Sequence, residues 1–66
     1  MIITVNGSRR DVPDAITVTE LVAHLQIAEG PVAVEINGAV VPRAQHASRH
    51  VGEGDVVEVV HFVGGG

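Results

Sequence analysis

The sequence predicts an α+β fold, a mixed sheet of about five strands with one main helix packed across it. Three observations carry that expectation. Two Asn-Gly pairs, Asn6-Gly7 and Asn37-Gly38, each close a β-prone stretch, and Asn-Gly is the strongest short hairpin signal because both positions accept positive φ. Between them, a helix-start signature at Thr17 opens a single apolar stripe of helical period. Near the end comes a valine-rich run, residues 56–63, whose β-propensity marks a central strand.

Each element follows from local chemistry. Residues 1–5, rich in Ile, Thr and Val, form the first strand, with Ile3 and Val5 on one face. A second strand over 8–12 returns with Val12 as its core residue, and Pro13 closes it because proline cannot donate to a ladder. Thr17-Val18-Thr19-Glu20 fits a capping box, so a helix starts at Val18. Val18, Leu21, Val22 and Leu25 then fall at i, i+3, i+4 and i+7 and make one face that can lie across a sheet, with Gly30 and Pro31 as the stop. His24 lies beside this stripe at the solvent edge, with no acid or nucleophile placed next to it.

Residues 32–37 alternate, placing Val32, Val34 and Ile36 on one face. Ala39, Val40 and Val41 make a short strand that Pro42 ends, and residues 43–50 read as a helical turn or an irregular crossover on the surface. Gly52-Glu53-Gly54-Asp55 is a turn. The final run is nearly continuous enough to be buried on both faces, but Glu58 and His61 interrupt it. Val57, Val59 and Val63 therefore form its apolar face, with Val56, Val60 and Phe62 on the other side. Being the most apolar strand, it belongs in the middle of the sheet, beside the first.

Composition narrows the function. Sixty-six residues make one small domain, and a domain of about 60 residues buries only ~60% of its unfolded surface, leaving little room for an internal active site. The absence of cysteine excludes disulfides, a thiolate zinc site and a catalytic thiol. His46 and His50 stand four residues apart, yet no HExxH pattern or adjacent carboxylate completes a metal site, so no metal is expected. Eight acids against four arginines, with no lysine, give a net charge of −4. That balance disfavours nucleic acid, and the single aromatic, Phe62, offers no stacking platform for bases. An acidic surface suits either docking to a basic patch on a protein or plain solubility. With no basic-then-apolar leader and no apolar run of membrane-spanning length, the expected location is cytoplasmic, with no membrane partner.

The last residues are Val63-Gly64-Gly65-Gly66. Glycine at the end of a strand packs nothing and loses the most backbone entropy on ordering, so three together call for a reason. Either the end simply frays, or a partner threads a tail bare of Cβ atoms into a narrow slot and activates the carboxylate of Gly66. The expected organisation is a single domain over 1–66 in which 63–66 form a flexible tail aimed by a rigid central strand.

Four segments together carry a family resemblance that spans the whole chain: Met1-Ile2-Ile3-Thr4-Val5-Asn6-Gly7, Val34-Glu35-Ile36-Asn37-Gly38-Ala39-Val40-Val41-Pro42-Arg43, the turn Gly54-Asp55, and Phe62-Val63-Gly64-Gly65-Gly66. With them the chain resembles the ubiquitin-like β-grasp sulfur carriers of the ThiS/MoaD family, on its thiamine-biosynthesis branch. The resemblance implies a non-enzymatic protein cosubstrate. Its Gly66 carboxylate would be adenylated by an E1-like adenylyltransferase (ThiF-like) that uses ATP, the carrier itself binding no cofactor, and then converted to a thiocarboxylate. The sulfur would come from a donor such as a cysteine desulfurase and pass to a thiazole synthase (ThiG-like). Gly64 and Gly65 would be threaded by partners, Gly64 departing slightly from relatives with two terminal glycines. Val60, Phe62 and Val63 would form the docking surface, Phe62 having core packing as its alternative. Arg43 reads as a solvated turn residue or a partner contact. Rival readings are a molybdopterin-synthase small subunit, a carrier for another sulfur pathway, and a ubiquitin-like interaction module with an inert tail.

Overall fold

A computed structural model describes residues 1–26 and 31–62. Strand β1 (Ile2–Val5) turns at Asn6-Gly7 into β2 (Ser8–Asp11), and helix α1 (Val18–His24) follows. Strands β3 (Val32–Ile36) and β4 (Ala39–Val40) form a second hairpin, a 3-10 turn spans Arg43–Gln45, and β5 (Val56–His61) comes last. The sheet order is β2-β1-β5-β3-β4. β5 runs parallel to β1 and antiparallel to β3, so the sheet is mixed and its last strand is its centre.

Both Asn-Gly turns adopt the conformation that their composition predicts, with φ of 49° and 82° at Asn6 and Gly7 and 52° and 85° at Asn37 and Gly38. Two consecutive positive φ values match the twist of the flanking strands. The asparagines do a second job that the sequence did not disclose. The side-chain amide of Asn6 donates to the carbonyl of Val59 at 3.1 Å and accepts from the Val59 N–H at 2.8 Å. It thereby stands in for the next residue of β1 where that strand turns away. Asn37 acts at the start of β5: its Oδ1 accepts from the Val56 N–H at 2.9 Å and its Nδ2 donates to Asp55 at 3.0 Å.

One buried cluster fills the space between sheet and helix. Ile3 and Val5 from β1, Val34 and Ile36 from β3, and Val57 and Val59 from β5 meet Val18 and Leu21 of α1, with Val12, Ile16, Val41 and Val51 closing the edges. Val22, Leu25 and Val32 pack partly buried against it, so the expected helical stripe is the stripe that packs. A further expectation fails. The helix ends at His24 with Leu25 as its cap, earlier than a stop at Gly30-Pro31 implies. Gln26 takes a left-handed φ of 56°, which terminates the helix without glycine. Residue 30 lies outside the described residues.

The first amides of the helix, which have no partner within it, are all satisfied. The capping box is present: Glu20 N–H donates to Thr17 Oγ1 at 3.1 Å and Thr17 N–H donates to a Glu20 carboxylate oxygen at 2.9 Å. The Val18 and Thr19 amides donate to the carbonyls of Arg49 and His46, at 2.9 and 3.0 Å. The irregular stretch after β4 is therefore the backbone cap of α1, and a bridge between Thr17 and His50 pins it there.

Two outcomes follow. Replacing Asn6 with glycine keeps the turn geometry and removes both side-chain bonds to Val59, so the urea-denaturation stability should fall by about 1–2 kcal/mol; an unchanged midpoint contradicts the second role of Asn6. The bond from the Thr17 backbone, with its hydroxyl, holds the Glu20 carboxyl below its ordinary value of 4.5. Stability from the ionised box is therefore present above that pH and lost as pH falls through the lower folded value. The stability difference between the natural chain and Glu20→Gln should narrow below pH 4.5, and a pH-independent difference contradicts it.

Candidate functional site

β5 is the platform for the site. It pairs with β3 from Ile36 opposite Val57 to Val32 opposite His61, and the Phe62 N–H donates to the Pro31 carbonyl at 3.1 Å. The ladder thus runs up to Phe62, the residue before Val63. Val63, Gly64, Gly65 and Gly66, which carry the tail expectation, lie outside the described residues.

Alternation along β5 separates two environments. Val57 and Val59 are buried beneath α1, while Val56, Val60 and Phe62 on the opposite side are 47%, 56% and 52% exposed. The split between Val57 and Val59 on one side and Val56, Val60 and Phe62 on the other is the one that the interruptions at Glu58 and His61 imply. One helix covers one face, and no described element covers the other. Core packing for Phe62 is excluded by the same observation. Val60 and Phe62 share the open face as expected, whereas Val63 cannot be placed.

The open face extends across neighbouring strands. Val40 of β4 is 68% exposed and sits opposite Glu35 of β3, which in turn sits opposite Glu58 of β5. Ala33 lies opposite Val60, and on the other flank Thr4 pairs with Val56 and Arg9 with Thr4. Apolar side chains here surround two carboxylates in register. Like charges directly opposite on neighbouring strands destabilise a sheet by ~0.2–1 kcal/mol. The sequence reading treated Glu58 only as an interruption of the apolar run. Its partner, Glu35, is 23 positions away in the chain (58 − 35), so only the register of β3 on β5 reveals the pair.

The remaining candidates resolve structurally. His24 is exposed at the end of α1, and Arg43 is exposed in the 3-10 turn, as a solvated turn residue would be. The His46 ring Nε2 is 3.1 Å from the Val41 carbonyl, and His46 and His50 follow a 3-10 turn rather than sharing an α-helical face. Among the described residues no three His, Cys, Asp or Glu side chains cluster as metal ligands, and no helix is long and apolar enough to cross a membrane. A shallow depression bordered by Asp14, Glu20 and His24 lies against α1. Its acids are already engaged: Glu20 in the capping box and Asp14 with the Met1 amino group at 3.1 Å.

A five-stranded mixed sheet crossed by one helix, with the last strand central between the first and the third, defines a ubiquitin-like β-grasp domain. The crystal structure of the thiamine biosynthesis protein ThiS of Geobacter metallireducens superposes over the whole of both chains with a TM-score of 0.85 and 40% sequence identity. An NMR structure of a thiamine biosynthesis protein from that organism gives a TM-score of 0.80, covering all of this chain and 88% of the other. The chain belongs to the ThiS family, whose family model matches residues 3–66. It is 36% identical over 53 residues to the sulfur carrier protein ThiS of Bacillus subtilis, with 80% of each chain covered. It is also 38% identical over its full length to a thiazole synthase of Paramagnetospirillum magneticum and 41% identical to one of Magnetococcus marinus. The chain spans 20% of the length of each of those two proteins.

Exposure makes Val60 and Phe62 dispensable for folding. Val60→Ser and Phe62→Ser should each shift the denaturation free energy by no more than about 0.5 kcal/mol, whereas Val57→Ala, at a fully buried position of the same strand, should cost about 1–3 kcal/mol. Comparable losses at Val57 and Val60 would contradict the division of β5 into a core face and an open face.

Proposed function

We propose that the protein is a sulfur carrier of thiamine biosynthesis, a cosubstrate whose Gly66 carboxylate is activated and exchanged for a thiocarboxylate by partner enzymes. The observation that supports this most is that the ladder of the core strand β5 continues to Phe62, the residue immediately before the segment Val63-Gly64-Gly65-Gly66, on a body of the ThiS family. The body offers packing and docking and no described catalytic constellation, which suits a protein acted upon by others.

The chemistry at the tail needs only the carboxylate. In the first step a Gly66 carboxylate oxygen attacks the α-phosphorus of ATP on an E1-like adenylyltransferase, and pyrophosphate leaves. The acyl adenylate is a mixed anhydride whose carbonyl carbon accepts hydrosulfide, with AMP as the leaving group, to give the thiocarboxylate directly; when the donor is the persulfide of a cysteine desulfurase, the same attack gives an acyl disulfide, and a thiol reductant then cleaves its S–S bond to release the thiocarboxylate. Gly64 and Gly65 carry no Cβ, so their backbone can enter a slot too narrow for other residues. Val60 and Phe62, with Val63 beside them in sequence, supply the apolar contact that holds the body against the enzyme. The thiocarboxylate then delivers sulfur to a thiazole synthase. The match of this chain to one fifth of two thiazole synthases favours that acceptor over the molybdopterin branch.

Intact-mass spectrometry tests this reading. Incubation of the chain with an E1-like adenylyltransferase of the ThiF type, ATP and a sulfide source should produce the mass increment for replacing one oxygen by sulfur, localised to the C-terminal peptide. A chain extended by one residue after Gly66 should melt at the same temperature and show no increment. No conversion of the natural chain, where the Bacillus subtilis carrier is converted in parallel, would overturn it.

A further inference from the structure

The open face of the sheet holds an electrostatic arrangement that the body leaves uncompensated. Glu35 and Glu58 are exposed, lie opposite each other on β3 and β5, and make no hydrogen bond or ion pair among the described residues. No cation of the chain is stationed with them. There is no lysine, Arg9 and Arg10 are on the edge strand β2, two strands from β5 and three from β3, with neither in an ion pair to Glu35 or Glu58 among the described residues, and Arg43 and Arg49 belong to the stretch that caps α1. Around the two acids the face is apolar: Val40 is opposite Glu35, and Val56 and Val60 flank Glu58 on the same side of β5.

These features constrain what can cover the face. A purely apolar partner surface seated on Val40, Val56 and Val60 would strip water from two adjacent carboxylates and give them nothing in return, which costs more than the apolar contact gains. A partner that places a cation between the acids removes both the desolvation penalty and the mutual repulsion. Arginine suits this position, because its planar guanidinium presents donors to two carboxylates at once while its aliphatic stem lies against valine.

We propose that Glu35 and Glu58 form the cation-receiving centre of the docking surface, and that the occupant is the thiazole synthase, the enzyme type in which two sequences carry a stretch matching this whole chain, presenting an arginine or lysine from within an apolar patch. This rests on the carrier reading and deepens it. Val60 and Phe62 supply contact area, and the acid pair supplies register and discrimination between partners. An unfavourable cross-strand pair at an exposed position that packs nothing is a local conflict that recognition explains.

Isothermal titration with a thiazole synthase of the ThiG type from the same organism tests the proposal. Glu58→Gln and Glu35→Gln should each weaken binding about 10-fold or more, the loss expected for a charged hydrogen-bonded contact, and Glu58→Lys should weaken it further. Ala47→Lys changes net charge by as much as Glu58→Gln at an exposed position on the helix-capping stretch, and should leave affinity within about 2-fold, since a remote charge is screened. Thermal melts of the two glutamine variants should be no lower than that of the natural chain. Equal affinity for the natural chain and the glutamine variants overturns the proposal, as does an equal loss in Ala47→Lys. Losses confined to the adenylyltransferase overturn the assignment of the occupant. Failure of the carrier reading shows separately, as absence of the Gly66 mass increment in the natural chain; undetectable synthase binding by a chain that does show that increment overturns the proposal alone.

Discussion

The rest of the structure depends on the last strand being locked at the centre of the sheet. β5 reaches its neighbours across the largest sequence separations in the chain, and it is held at its start and again at Val59 by side chains from the two tight turns. Asn6 takes over the hydrogen bonding of Val59 where β1 departs, and Asn37 receives the Val56 amide where β5 begins. One residue type thus serves two requirements, positive φ in a tight turn and a side-chain amide that mimics a peptide group. The ladder contacts of β1, Thr4 with Val56 and Val5 with Val57, cover only the first part of β5. Without the Asn6 amide, the following part would have a partner on one side alone.

From that constraint the two faces acquire different purposes. A chain of this length forms one helix long enough to cover a sheet, and α1 buries Val57 and Val59. The opposite face keeps its valines and Phe62 exposed because nothing in the described chain can reach it. An exposed apolar patch of this kind marks an interaction surface, and here it adjoins the residues proposed to carry the chemistry. In the proposed function, folding energy and reactivity reside in separate parts of the chain. On that reading the body can be optimised for packing independently of the residues that carry the chemistry.

Much of this was legible in the sequence because its causes are local. The Asn-Gly turns, the Thr17-Glu20 capping box, the helical stripe from Val18 and the alternation of Val57 and Val59 against Val56 and Val60 each depend on neighbours within a few residues. What was not legible depends on pairing at a distance. The left-handed Gln26 that ends the helix early has no glycine to announce it. The amide clamps of Asn6 and Asn37 exist only once β5 lies beside them, and the degree of exposure of Val56 and Val60 emerges only in the assembled sheet, because solvent-facing valines are as β-prone as buried ones. The opposition of Glu35 and Glu58 requires the register of β3 on β5. The candidate site divided along the same line. Val60 and Phe62 followed from alternation, while the acid pair between the valines came only from the assembled sheet.

Native-state amide hydrogen exchange along β5 tests the clamp on the central strand most directly. The Val59 amide, whose described acceptor is the Asn6 side chain, should exchange as slowly as the core amides that open only on global unfolding, and replacement of Asn6 by glycine should release Val59 selectively while the amides paired to β3 stay protected. A Val59 amide that exchanges freely in the natural chain, or remains equally protected without the Asn6 side chain, would contradict a central strand fixed by its turn asparagines.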